Sequence, residues 1–150
     1  HVKSYLSLQQ LRYKEKLSIK WEVDEEIFQY RTLKFILQPI VENAIYHGIE
    51  AQDRLGVIII RGKKDNQKIC LEVEDNGPGI TEEKIKSIHE HIQGKCVVTG
   101  IGLNNINERI KMYFGNEYGL EIRRGNGNGT LVKVVFPAIM DSESAICRGG

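Results

Sequence analysis

The sequence predicts an α/β sandwich in which helices cover one face of a mixed or antiparallel sheet. Some segments alternate apolar and polar residues as strands do, others space their apolar residues as helices do, and the two kinds follow one another along the chain. The 150 residues, of which 41% are hydrophobic, fit one domain with a sizeable core. A formal net charge of +1 gives no electrostatic reason to expect a nucleic acid as partner.

The first third of the chain predicts a helix, a strand and a second helix. Residues 2–16 show a loose helical period, and residues 17–24 alternate apolar and polar side chains as a strand with one buried face does. Apolar residues between positions 33 and 47 fall on one side of a helix, and Gly48 is placed to end it. Pro39 lies inside this pattern and removes a helical hydrogen bond, so it either kinks the helix or marks its true start.

Two pairs of strand-like segments predict hairpins. Residues 56–61 and 68–74 flank a polar run at 63–67, which predicts an antiparallel hairpin with an exposed loop. Residues 119–124 and 130–136 flank a loop made only of Gly and Asn, and both residue types tolerate positive φ.

Two further helices are predicted, at residues 81–92 and 103–114. Residues 93–102 between them lack any period and are expected to be mobile. The tail at 141–150 is expected to be loose.

A first candidate site lies in the segment Glu42–Gly48. At 100° per residue, Asn43 and His47 lie one above the other beside the apolar stripe, where they can face a cleft. An amide oxygen there suits Mg²⁺, and Glu42 could polarise an attacking group. Taken alone, solvation or capping is the more common role of such residues.

A second candidate site is the segment Asp75–Gly79. Strand alternation places Asp75 on the same face as Val73, so a carboxylate points toward the core. A ligand with an exocyclic amine, such as adenine, would satisfy it, and Gly77 and Gly79 would let a flat ring approach closely. A strand-ending turn in which Asp75 caps a backbone amide explains the segment equally well.

A third candidate site is the segment Gly100–Asn105, in which two glycines lead into a helix. Free backbone amides at a helix N-terminus bind phosphate, and glycine lets the phosphate come close. A single pair of glycines before a helix is weak evidence and is more often a tight turn.

Together and in this order, the three segments resemble the motifs of the ATP-binding catalytic domain of the GHKL superfamily, most closely those of LytS/YesM-type sensor histidine kinases. Residues 37–48 resemble the N box, 75–79 the G1 box and 100–109 the G2 box. Residues 127–130 resemble the closing G-x-G-T of the family. The match covers roughly residues 30–137.

The resemblance implies a Bergerat-type fold that binds ATP and Mg²⁺. Asp75 would accept the adenine amino group, Asn43 would hold Mg²⁺ and Glu42 would assist the phosphoacceptor histidine. The G2 backbone would bind phosphates, and the segment between Gly79 and Gly100 would be the ATP lid. The resemblance thus implies one catalytic residue, Glu42, one metal ligand, Asn43, and these nucleotide contacts: Asn43, His47, Asp75, Asn76, Gly77, Gly79, Gly100, Ile101, Gly102, Leu103 and Thr130.

The resemblance also implies a domain organisation and partners. Residues 1–16 would end an upstream dimerisation and phosphoacceptor helix, residues 17–140 would form the catalytic domain, and residues 141–150 would be a tail. The parent protein would be a homodimeric sensor in the bacterial cell membrane, with this domain in the cytoplasm. It would transfer the γ-phosphate to a histidine in a helical hairpin outside this sequence, for relay to a response regulator.

Other functions stay open at this point. The domain could belong to a serine kinase or to an ATPase that drives a conformational clamp, although the Gln38-Pro39 flank of the N box disfavours both. It could also be a non-catalytic module that docks a partner through residues 2–13. The presence of Glu42, Asn43 and Asp75 disfavours that alternative.

Overall fold

A five-stranded mixed sheet forms one layer of the structure. The computed structural model describes residues 2–32, 36–49, 53–92 and 101–140. The strand order across the sheet is β1-β2-β3-β5-β4; β1 runs parallel to β2, and every other neighbouring pair is antiparallel. The strands are β1 (Leu17–Val23), β2 (Gly56–Asp65), β3 (Lys68–Asp75), β4 (Gly119–Arg124) and β5 (Thr130–Pro137). The predicted sandwich with a mixed sheet is confirmed.

Four α-helices and three other helical segments accompany the sheet in the described ranges. The α-helices are α1 (Val2–Tyr13), α2 (Leu37–Asn43), α3 (Glu82–Ile92) and α4 (Ile101–Phe114). A 3₁₀ turn at Lys14–Lys16 joins α1 to β1, and a second, Glu25–Gln29, follows β1. None of the helices described is long and apolar enough to cross a membrane.

The second helix differs from its prediction at both ends. It begins at Leu37, so Pro39 lies in its first turn, where a missing N–H costs no helical hydrogen bond. Pro39 therefore marks the true start; residues 33–35 lie outside the described ranges. After Asn43 the chain continues as a π-helix, Ala44–Ile49, which contains Gly48 instead of ending before it. The α-helical geometry used to align His47 with Asn43 thus ends at Asn43, and the side chain of His47 lies outside what the structure describes.

The first hairpin is longer than predicted. Strand β2 continues to Asp65, and the ladder pairs Lys63 with Cys70 and Lys64 with Ile69. The loop predicted at residues 63–67 is therefore only the two-residue turn Asn66–Gln67, in which Asn66 has a φ of 54°. The far end of this hairpin is exposed and polar, so hydrophobic alternation gave no signal for it.

The helices that follow agree with their predictions to within two residues. Helix α3 begins after Thr81, whose Oγ1 accepts a hydrogen bond from the N–H of Lys84 at 3.2 Å. Helix α4 begins at Ile101, two residues earlier than predicted. Of the segment expected to be mobile, residues 93–100 lie outside the described ranges, as does the predicted tail at 141–150.

The core lies between the helices and one face of the sheet. Ile40 and Val41 of α2 and Ile106 and Ile110 of α4 are buried in one cluster with the apolar side chains of the sheet. Leu6 joins α1 to the same cluster. Alternation along the strands places charged side chains such as Arg61 and Glu72 on the opposite, open face. The structure is thus a two-layer α/β sandwich.

Helix α4 offers a direct test of this core. Ile110 is fully buried, whereas Met112 on the same helix is 87% exposed. Ile110→Ala should lower the free energy of unfolding by about 2–5 kcal/mol because it leaves a cavity. Met112→Ala should change it by less than about 0.5 kcal/mol. Urea unfolding of both variants checks this, and equal effects would contradict the placement of α4.

Candidate functional site

Asp75 is a buried carboxylate at the end of β3. It is 8% exposed, and its Oδ1 accepts hydrogen bonds from the N–H of Gly77 at 2.8 Å and from the N–H of Thr130 at 3.4 Å. The predicted orientation toward the core is confirmed. The capping alternative also holds in part, because the same oxygen caps the amide of Gly77.

Burial raises the pKa of Asp75 above its ordinary value, and the negative charge of Glu74 adds to this effect. The hydrogen bonds from Gly77 and Thr130 act in the opposite direction without cancelling it. Both hydrogen bonds described at this carboxylate end on Oδ1. A donor supplied by a bound molecule would stabilise the ionised form and satisfy a buried acceptor.

Two glycines hold the turn after β3 against the end of the π-helix. A Cβ atom on Gly48 would lie 2.7 Å from Cγ of Asp75, and a Cβ atom on Gly77 would collide with the Cα atom of Gly48. The segment that carries Asn43 therefore packs directly on the turn that carries Asp75. Helical periodicity assigned Gly48 only to a helix stop, because a contact between positions so far apart leaves no local pattern.

Asn43 and Glu42 occupy the end of α2. Asn43 is half-buried and is the last residue of the helix, immediately before the π-helix. Glu42 is exposed and accepts a hydrogen bond from Nε2 of Gln38, one turn earlier, at 3.0 Å. The backbone of His47 lies in the π-helix, and its side chain is outside what the structure describes.

Asn76 and Gly79 fix the turn from two sides. The side chain of Asn76 accepts a hydrogen bond from the N–H of Val57 at 2.8 Å and donates one to the carbonyl of Leu55 at 2.9 Å. Gly79 has a φ of +76°, which favours glycine, and a Cβ atom there would collide with the carbonyl oxygen of Asn128. The turn is thus held by the start of β2 and by the loop between β4 and β5.

The remaining predicted residues lie in or before the first turn of α4. The backbone of Ile101, Gly102 and Leu103 is helical, and the side chain of Leu103 is buried in the core. Gly100 lies outside the described ranges, and only the backbone of Ile101 and Gly102 is described. The described contacts therefore bring together Asp75, Gly77 and Thr130, and join them to the π-helix through Gly48.

Sequence reasoning missed Glu74. Alternation places it on the open face, where a charged side chain is normally solvated, yet it is only 8% exposed. The residues that cover it belong to the loop between β4 and β5, about fifty positions later in the chain. Only the three-dimensional structure shows this contact.

Comparison with known families agrees with this geometry. The family described as "Histidine kinase-, DNA gyrase B-, and HSP90-like ATPase" matches residues 29–139. The chain belongs to this family of ATPase domains.

Relatives similar to this chain include bacterial sensor proteins. The sensor histidine kinase YesM of Bacillus subtilis (strain 168) is 38% identical over 136 residues, which is 91% of this chain and 22% of YesM. The sensor protein LytS of Bacillus cereus is 32% identical over 148 residues, 99% of this chain and 25% of LytS. The chain thus spans about a quarter of the length of these relatives or less.

Solved structures show the same fold. The catalytic domain of the histidine kinase ThkA, in a nucleotide-free form, superposes with a TM-score of 0.69 at 20% identity, over 93% of this chain and 91% of that domain. The complex of ThkA with the response regulator protein TrrA superposes with a TM-score of 0.62 at 22% identity, over 91% of this chain and 38% of ThkA.

The loop between β4 and β5 offers a matched pair of glycines. A Cβ atom on Gly129 would collide with the backbone carbonyl of Asp75, whereas one on Gly127 would meet no atom within 4 Å. Gly129→Ala should destabilise the fold by about 1–3 kcal/mol, because the new Cβ atom forces the backbone of Asp75 to move. Gly127→Ala should change stability by about 0.5 kcal/mol or less. Thermal unfolding of both variants checks the docking of this loop.

Proposed function

We propose that this chain is the ATP-binding catalytic domain of a sensor histidine kinase. One observation carries the proposal: the buried carboxylate of Asp75 at the point where the β3 turn, the π-helix and the start of β5 meet. Membership of the family and the similarity to sensor histidine kinases along most of the chain support it.

The described residues fit an adenine ring. Asp75 supplies a buried acceptor with which an exocyclic amine can pair, and this gives directional selectivity for adenine. Gly48 leaves no side chain beside that carboxylate, because a Cβ atom there would lie 2.7 Å from Cγ of Asp75, and Gly77 lets the turn pack on the backbone of Gly48. Thr130 orients the carboxylate through its backbone N–H.

The described residues also fit a divalent cation held together with phosphates. The half-buried amide of Asn43 offers a neutral oxygen ligand of the kind that Mg²⁺ accepts. Mg²⁺, when bound, neutralises phosphate charge. The backbone amides of Gly100, Ile101, Gly102 and Leu103 would bind the phosphates at the N-terminus of α4. His47 and Asn76 would complete the nucleotide contacts.

The catalytic step we propose is transfer of the γ-phosphate to a histidine of a helical hairpin, from the same protein or its dimer mate. Glu42 is exposed at the end of α2, so an incoming imidazole can reach it, and it would accept the imidazole proton. The phosphate would then pass to a response regulator, the class of partner seen with ThkA. We place the domain on the cytoplasmic side of a membrane-anchored homodimer.

Asp75→Asn tests the nucleotide site. Asparagine keeps an oxygen that can cap Gly77, but it loses the charge that pairs with adenine. Affinity for a non-hydrolysable ATP analogue should fall about 10- to 100-fold, the effect of one charge-assisted hydrogen bond. The melting temperature of the free protein should stay the same or rise, because a buried charge is removed. Calorimetry with and without Mg²⁺ checks the first effect; equal binding by both proteins would refute the adenine site.

Glu42→Gln tests the transfer step. With a separately supplied hairpin carrying the phosphoacceptor histidine, we expect the rate of labelling from γ-labelled ATP to fall about 100-fold or more. Affinity for nucleotide should change less than about twofold, because Glu42 is exposed and the hydrogen bond described for it is with Gln38 on its own helix. Glu121→Gln on the open face of the sheet serves as the control and should leave the rate unchanged. Stable label on serine, or steady hydrolysis without a phosphoprotein, would favour the alternative functions.

A further inference from the structure

Glu74 precedes Asp75 and points to the opposite face of the sheet. Its two carboxylate oxygens have different partners: Oε1 accepts the backbone N–H of Asn126 at 2.7 Å, and Oε2 accepts Nη1 of Arg61 at 2.7 Å. Arg61 is itself oriented by Glu22, whose Oε2 accepts its Nε–H at 3.0 Å. A buried carboxylate therefore fixes one end of residues 125–129, called here the β4–β5 loop.

Glu74 stays ionised in this environment. Burial opposes its charged form, but the hydrogen bonds from Asn126 and Arg61 outweigh burial, so its pKa lies below the ordinary value. The interaction with the loop is thus a charge-assisted hydrogen bond, which is stronger than one between neutral groups.

The other end of the β4–β5 loop contacts Asp75. The N–H of Gly125 donates to the carbonyl of Gly129 at 3.0 Å and closes the loop. Gly129 packs so closely on the backbone of Asp75 that it has no space for a Cβ atom. The next residue, Thr130, donates its N–H to Oδ1 of Asp75. One short loop therefore connects the side chain of Glu74 to the side chain of Asp75 across the sheet.

We propose that Glu74 is a positioning residue for adenine recognition: it holds the β4–β5 loop, and the loop holds the carboxylate of Asp75. This inference rests on the proposed function of ATP binding. The ladder pair with Arg124 still holds Thr130 on its strand side, but without Glu74 the loop that precedes Thr130 loses its charge-assisted hydrogen bond. The long hydrogen bond from Thr130 to Asp75, 3.4 Å, then weakens, and Asp75 depends mainly on the hydrogen bond donated by Gly77. The carboxylate then samples orientations that do not face the exocyclic amine.

Glu72 provides a matched control on the same strand. It lies on the same open face, and its Oε2 is 3.8 Å from Nη1 of Arg61, but the contacts described for it do not include the loop. Removing Glu74 leaves Arg61 paired with Glu22 and near Glu72, so no isolated cation results. Glu74→Ala and Glu72→Ala thus remove the same charge near the same arginine, and only the first removes the contact with the loop.

The quantity measured is the ratio of two affinities, which reports selectivity for adenine. If a fraction of the protein is unfolded, both affinities fall by the same factor and the ratio stays the same. Binding of a non-hydrolysable ATP analogue is compared by calorimetry with that of its inosine counterpart, which carries a carbonyl in place of the amine. Glu74→Ala should lower the ratio of the two affinities about 5- to 10-fold. Glu72→Ala should leave the ratio within about twofold of the parent chain. A parent-like ratio in Glu74→Ala overturns the role of Glu74, whereas a parent chain without binding or preference overturns the adenine site itself.

Glu74→Gln keeps the test valid if the alanine variant does not fold. The amide oxygen still accepts from Asn126, but the charge is lost, so the ratio should fall by a smaller factor. In the nucleotide-free protein, amide hydrogen exchange at Asn126 and Thr130 should become faster, while exchange at Gly77 stays unchanged. Glu72→Gln should affect none of the three. Unchanged exchange at Thr130 in Glu74→Gln would overturn the proposal.

Discussion

The buried carboxylate of Asp75 is the constraint on which the surrounding structure depends. A charge with this little exposure is tolerated only when donors surround it, and the backbone amides of Gly77 and Thr130 supply them. Those donors require the turn after β3 and the start of β5 to lie within hydrogen-bond distance of one side chain. The close contact of Gly48 with the same carboxylate adds a third segment to the arrangement.

The sheet is what makes this convergence possible. Because β5 lies beside β3 in antiparallel register, with Glu74 opposite Leu131, the end of β3 and the start of β5 are neighbours. The loop that precedes β5 therefore passes over the end of β3. The helix layer contributes through α2, whose continuation as a π-helix brings Gly48 onto Asp75. π-helical turns inside α-helices are often found at functional sites, which agrees with this position.

Much of this could be predicted from the sequence, because it depends on local patterns. Alternation along β3 predicted that Asp75 faces the core, and the Gly and Asn loop predicted the second hairpin. The resemblance of the three motifs to one family predicted the fold. What could not be predicted depends on contacts between distant segments. The burial of Glu74 depends on its contact with Asn126, and the absence of a side chain at Gly48 makes room for Asp75. The π-helix at Ala44–Ile49 could not be predicted for a different reason, because over six residues its pattern does not differ from that of an α-helix.

The turn of the first hairpin is a suitable place to attach a probe to this domain. The turn Asn66–Gln67 is exposed and joins β2 to β3 at the end opposite Asp75. Strand β3 has eight residues, so Lys68 and Asp75 at its two ends are about 24 Å apart at about 3.4 Å per step. A fluorophore, an affinity tag or a fused reporter attached at this turn would be held to the central strand while remaining far from Asp75.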